Sequence, residues 1–177
     1  MSQWSLRLTK AVLTDDFARR RRQLLNHMHP ESIAVIPGAA QHRRNNDIFF
    51  PFRQDSDFYY LTGFREPDAL LVLIPGRKQG ETIVFCRERD PVLERCDGVI
   101  LGPERCQSVL GVDDAFPICD VEEILLGLLE ARSKVYMNLG EHAAWDERVL
   151  NWLSELASQR PAVVATAQHI TELGHLL

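Results

Sequence analysis

The chain has 177 residues, 45% of them hydrophobic and 25% charged, with a formal net charge of −5. That length suits one domain with a core large enough to fold without disulfide or metal staples. The acidic balance argues against a nucleic-acid partner or an anionic membrane surface, both of which favour a basic face.

No apolar run approaches the roughly 20 residues that cross a bilayer, so no membrane is expected. Residues 1–14 lack the basic start, apolar block and small-residue cleavage site of a secretory signal. Cys86, Cys96, Cys106 and Cys119 form no C-x-x-C pair. Free thiols in a reducing cytoplasm are the economical reading, and the expected location is cytoplasmic.

Residues 2–13 show no clear period and read as an arm or frayed strand. Thr14-Asp15-Asp16 reads as a helix start, with two acids where the helix dipole favours them. Phe17, Leu24, Leu25 and Met28 recur at helical spacing, and Pro30 ends the element. Arg19 to Arg22 are four consecutive cations. Successive helical positions are about 100° apart, so they wrap the helix rather than form one stripe, and a solvated or interface-facing helix is expected.

Ser32-Ile33-Ala34-Val35-Ile36, closed by Pro37-Gly38, reads as a buried strand. Residues 39–47 are polar and read as a loop. Next comes the densest stretch of the chain, 49–74, which gathers aromatic rings around Arg53, Asp55 and Asp57 before turning at Gly63 and Pro67. Aromatics beside turn residues commonly anchor a strand in a core. Residues 57–61 read as one strand and 69–74 as the next. Turn residues 75–80 lead into 82–86, the partner of a hairpin. Residues 87–102 are irregular and charged.

Pro103 opens a helix through Leu110 that Gly111 ends. Residues 115–118 form a short strand. Asp120 caps a helix to Ala131 with Val121, Ile124, Leu125, Leu128 and Leu129 on one face. Residues 134–137 are a strand, 141–158 an amphipathic helix, and 161–166 strand-like. The last residues, 170–177, look like the first turns of a helix. Strands alternating with helices, plus one hairpin, make an α/β domain with a mixed sheet.

The chemistry visible in the residues is sparse. His27, His29, His42, His142, His169 and His175 form no H-E-x-x-H and no close cluster with carboxylates at metal-ligand spacing. There is no G-x-S-x-G elbow and no phosphate loop. On residues alone this is a soluble α/β domain with an unusual aromatic and charged segment.

That segment carries a resemblance. Phe52-Arg53-Gln54-Asp55-Ser56-Asp57-Phe58-Tyr59-Tyr60-Leu61-Thr62-Gly63-Phe64, then Glu66-Pro67-Asp68-Ala69 and Leu71-Val72-Leu73, resembles the N-terminal domain of the Xaa-Pro aminopeptidases (aminopeptidase P) of the prolidase/creatinase superfamily. Phe17 to Leu24 is similar to that family's first helix. Leu101-Gly102-Pro103-Glu104, Leu110-Gly111-Val112 and Ala115-Phe116-Pro117-Ile118 are similar to its middle.

The resemblance implies a creatinase-type, ribonuclease H-like fold, a mixed sheet flanked by helices. It divides the chain into an arm at 1–13, the domain at 14–167, and the start of a linker at 168–177 that leads to a catalytic domain absent from this chain. It places two divalent metals, usually manganese, in that catalytic domain and none here. It implies action on proline-containing peptides, release of the residue ahead of proline, and inactivity of these 177 residues alone.

Partners implied are the chain's own catalytic domain and further copies, as dimer or tetramer. The resemblance also implies a loop lent to the wall of a neighbouring active site, here Arg95, Cys96 and Asp97. The family usually has Trp where Cys96 stands, and basic residues at Val99 and Ile100. The motif residues Arg53, Gln54, Asp55, Asp57, Phe58, Tyr60, Gly63, Phe64, Glu66 and Pro67 are expected to be structural. Arg53, Asp55 and Asp57 are expected to brace the aromatic turn by charge-assisted hydrogen bonds. The alternatives are a stand-alone peptide-binding or scaffold module and a prolidase- or creatinase-type amidohydrolase.

Overall fold

The computed structural model describes residues 3–45, 48–92, 94, 98–130, 132–159 and 169–171. Five α-helices are described: α1 (Gln3–His27), α2 (Ser56–Thr62), α3 (Pro103–Leu110), α4 (Val121–Glu130) and α5 (Ala143–Gln159). Six strands form one sheet: β1 (Ser32–Pro37), β4 (Leu70–Leu73), β5 (Thr82–Cys86), β6 (Asp114–Pro117), β7 (Lys134–Tyr136) and β8 (His169–Thr171). Their order is β6-β5-β4-β1-β7-β8. The β1–β4 and β4–β5 pairs are antiparallel, and β1–β7, β5–β6 and β7–β8 are parallel. The sheet is therefore mixed and flanked by helices.

Every residue of β1, β4 and β5 is buried. Alternation at period two sorts their side chains between two cores, as a sheet covered on both faces requires. Ala34, Ile36, Leu71, Leu73 and Val84 pack with Leu24, Leu25, Phe58, Leu61 and Leu110 under α1, α2 and α3. Ile33, Val35, Leu70, Val72 and Phe85 pack with Leu125, Leu129, Val149 and Trp152 under α4 and α5.

Three expectations from sequence are corrected. The arm at 2–13 is helical from Gln3, continuous with the helix expected to begin at Thr14. No Gly or Pro interrupts the chain before Pro30, so nothing stops the helix at Thr14. Residues 57–61, read as a strand from their aromatics, are the body of α2. Asp55 caps α2, accepting from the Phe58 amide, and Gly63 closes it in the left-handed region at φ 66°. Any side chain at Gly63 would also meet the ring of Phe17 at 2.3 Å, so glycine lets α2 lie against α1. Ile170 and Thr171, read as the start of a terminal helix, belong instead to β8 (His169–Thr171), an edge strand parallel to β7.

The polar loop at 39–47 also contains β2 (Arg43–Asn45), which pairs with β3 (Ile48–Phe49) as a small ribbon. The strand-like run at 161–166 lies outside the described residues.

Arg21 fills the gap in the apolar stripe of α1, one turn before Leu24 and Leu25. It is 2% exposed. Its guanidinium donates to the carbonyls of Leu61 (2.9 Å), Leu110 (2.9 Å) and Gly111 (2.7 Å). Burial lowers its pKa to about 10, countered in part by the charge of Asp113, so it stays charged at neutral pH. The expected solvated arginine face is thus corrected at this position.

Replacing Arg21 by Met leaves the buried carbonyls of Leu61 and Leu110 unpaired and that of Gly111, an exposed residue, to water. Each such loss costs about 1–3 kcal/mol, so a destabilisation on the order of 3 kcal/mol or more is expected. Lys, with one compact donor group in place of the fork, recovers only part. Urea unfolding of wild type, R21M and R21K measures this; a loss within about 0.5 kcal/mol, the range of an ordinary surface change, would contradict it.

Candidate functional site

The parallel strands β1 and β7 end side by side, and polar side chains converge where they do. In open α/β sheets the crevice outside the carboxyl ends of strands is the usual place for a site. Val35, Ile36 and Pro37 line this niche together with Asp55, Asp57, Asn138, Glu141 and His142. Asp55 arrives from the N-cap of α2. His142 arrives from the start of α5, where its carbonyl accepts from the amides of Trp145 and Asp146.

His142 Nε2 lies 3.4 Å from Asp55 Oδ2, while Asp55 Oδ1 accepts from Phe58 N at 2.9 Å. The Asn138 amide donates to Asp57 Oδ2 at 2.8 Å and lies 3.5 Å from Glu141 Oε2. The bond to Asp55 raises the His142 pKa; burial opposes this, and Glu141 and Asp146 add to the rise. Burial pushes Asp55 up, but bonds from His142 and the Phe58 and Asp57 amides outweigh it and hold Asp55 below its ordinary value.

Asp55, Glu141 and His142 offer three ligand atoms within 4.8 Å of one another, the group among the described residues that could share a cation. Sequence spacing gave no hint of this cluster, because Asp55 lies far along the chain from Glu141 and His142.

The other motif residues work inward. Gln54 Oε1 accepts from Ala39 N (2.6 Å) and Asp55 N (2.9 Å), and its amide donates to Glu66 O at 2.8 Å. Phe58, Phe64 and Pro67 are buried, and Tyr60 is exposed beneath the Arg20 guanidinium, 4.3 Å from the ring centroid. Glu66 Oε1 accepts from Leu101 N at 2.8 Å, whereas its buried Oε2 has no hydrogen-bond partner among the described residues. Burial raises the Glu66 pKa, against the pull of the Leu101 amide and Arg87.

Asp55 and Asp57 thus make hydrogen bonds, while Arg53 is exposed and makes none with another described residue. Arg95, Cys96 and Asp97 lie outside the described residues. The chain on either side of them is held: Arg89 grips Glu94 at 3.0 and 3.2 Å, and Glu94 Oε1 accepts from Ile100 N at 3.2 Å.

A protein-family model described as aminopeptidase P, N-terminal domain, matches residues 17–136. The chain belongs to the aminopeptidase P N-terminal domain family.

Solved relatives agree. The aminopeptidase PepP of Pseudomonas aeruginosa superposes with a TM-score of 0.86 at 45% identity, over 93% of this chain and 37% of that one. Zinc-substituted Escherichia coli aminopeptidase P in complex with product gives 0.80 at 35% identity, over 90% of this chain and 36% of that one. The Xaa-Pro aminopeptidase of Haemophilus influenzae is 33% identical across 92% of this chain and 42% of its own length. The chain therefore spans about two-fifths or less of the length of these aminopeptidases.

The Asp55–His142 pair makes stability depend on pH. The raised His142 pKa adds stability that is complete below 6.5 and lost as pH rises through the folded value. The lowered Asp55 pKa adds stability present above 3.8 and lost as pH falls through the folded value. The melting-temperature gap between wild type and His142→Gln is therefore expected to be widest between these limits and to shrink on either side. A gap independent of pH would contradict the pairing.

Proposed function

We propose that these residues act as the non-catalytic N-terminal part of a metal-dependent Xaa-Pro aminopeptidase, helping subunits to assemble and shaping access to the active site. The family match over residues 17–136 carries this reading. The solved relatives support it, since both are aminopeptidases of which this chain resembles little more than a third.

In this reading the remaining two-thirds hold two divalent metals, manganese by preference. Such a centre supplies a water activated for attack near neutral pH. The substrate is a peptide with proline at its second position. The residues present here orient and enclose. Glu94, gripped by Arg89, and Glu66 accept from the Ile100 and Leu101 amides. The described residues on either side of Arg95, Cys96 and Asp97 are therefore anchored, Glu94 before them and Ile100 and Leu101 after. A cysteine at position 96 offers far less apolar surface than an aromatic ring, so its contact with a proline side is weaker.

Two preparations test the proposal: the purified chain, and a chimera carrying residues 17–136 in place of the matched segment of the Pseudomonas relative. With manganese present, the chain alone is expected to release nothing from an Arg-Pro-Pro peptide, while the chimera keeps Xaa-Pro aminopeptidase activity and its oligomeric state. Release by the chain alone, or a folded chimera that neither cleaves nor associates, would overturn it.

A further inference from the structure

Arg53 is the motif residue that the described fold leaves unused. Its neighbour Gln54 makes three hydrogen bonds inward. The Arg53 guanidinium is exposed and makes no hydrogen bond, ion pair or ring contact with any described residue.

It opens onto a cleft of about 380 Å³ lined by Phe52, Arg53, Gln54, Ser56, Tyr59 and Arg65. Arg65 donates to the Tyr59 hydroxyl at 3.0 Å and lies 5.5 Å from that ring's centroid. Two guanidiniums thus share one cleft, and no acidic side chain lines it among the described residues. On a chain with a net charge of −5, this is a local reversal of sign. Like charges brought together without a counter-ion repel, and the arrangement becomes favourable when an anion enters.

The shape narrows the kind of anion. A guanidinium fork matches a carboxylate through two parallel N–H···O bonds. The Phe52 and Tyr59 rings offer apolar walls for the carbon atoms behind it. The cleft is open rather than engulfing. Phe49 and Phe50, a few residues away in the chain, are 42% and 51% exposed, with Arg43 and Arg44 over their rings. Arginine with exposed aromatics is the composition of a protein-binding surface. Related aminopeptidases, moreover, carry well over half of their length beyond what this chain matches.

We propose that the cleft receives an Asp or Glu carboxylate presented by a polypeptide segment outside these 177 residues, with Arg53 gripping it and Arg65 and Ser56 completing the contact. The inference needs no peptidase activity and stands apart from the Xaa-Pro reading.

The test titrates the 177-residue chain with an acetylated, amidated Glu-Phe dipeptide, with its Gln-Phe counterpart, and with inorganic phosphate. Binding is read from the arginine Nε–Hε resonances. The Glu-Phe probe is expected to bind saturably. Binding should weaken about tenfold or more for Gln-Phe and for Arg53→Gln, the effect of losing a charged hydrogen-bonded pair. Arg53→Lys, which keeps the charge but not the fork, should fall between. The melting temperature of Arg53→Gln should match wild type, because no bond to a described residue is lost.

Equal binding of the two dipeptides, or binding unchanged by Arg53→Gln, would overturn the proposal. Phosphate binding as tight as the Glu-Phe probe would identify a general anion site and overturn the polypeptide occupant. A lowered melting temperature in Arg53→Gln would show an internal role and overturn it as well.

Discussion

Two helices, α2 and α3, end inside the helical face of the sheet, at Leu61 and at Leu110–Gly111. Helix ends leave carbonyls without intrahelical partners, and burying them unpaired is costly. Arg21 resolves both ends at once with three hydrogen bonds from a single guanidinium on α1. An arginine suits this position because its planar fork presents several donors in fixed directions and keeps its charge when buried. Arg21 therefore ties the end of α2 to both α1 and α3, and Arg20 adds a bond from α1 to the Tyr60 carbonyl. The close approach of Gly63 to Phe17 sets the same contact from the other side.

With α2 fixed in this way, the motif at 52–68 divides its labour by direction. Asp55 caps the helix and reaches across to His142. Gln54 ties the end of β1 to the backbone at Glu66, and Glu66 in turn holds Leu101 at the base of the loop that follows β5. Phe58 and Phe64 fill the core, with ring centroids 6.4 Å apart. Arg53, Ser56, Tyr60, Arg65 and Asp68 are the exposed residues of the stretch. A motif so dense in chemistry-bearing residues thus spends most of them on positioning.

Much of the fold was legible in the sequence, and particular residues explain why. β1, β4 and β5 are short apolar runs between turn residues, which read as buried strands. Pro103 and Gly111 punctuate α3 at both ends. α2 was misread because Phe58, Tyr59, Tyr60 and Leu61 favour strands by propensity, while the deciding information lay in the caps, Asp55 and Gly63. The buried role of Arg21 was visible only as a gap in an apolar stripe, hidden among four consecutive arginines.

The niche of Asp55, Glu141 and His142 carried no local signal at all, because its members meet only when β1 and β7 pair in parallel. Family membership was legible because the motif is long and keeps both caps, Gln54 and Glu66 in register.

The most direct measurement of this account is native-state hydrogen exchange on wild type and on Arg21→Met, compared amide by amide. If Arg21 joins α2 to α3, amides in the last turns of both helices lose protection together in the variant, by more than those of β1. Protection lost in one helix alone, or a uniform loss across helices and β1 alike, would contradict the claim that a single buried guanidinium holds the motif in place.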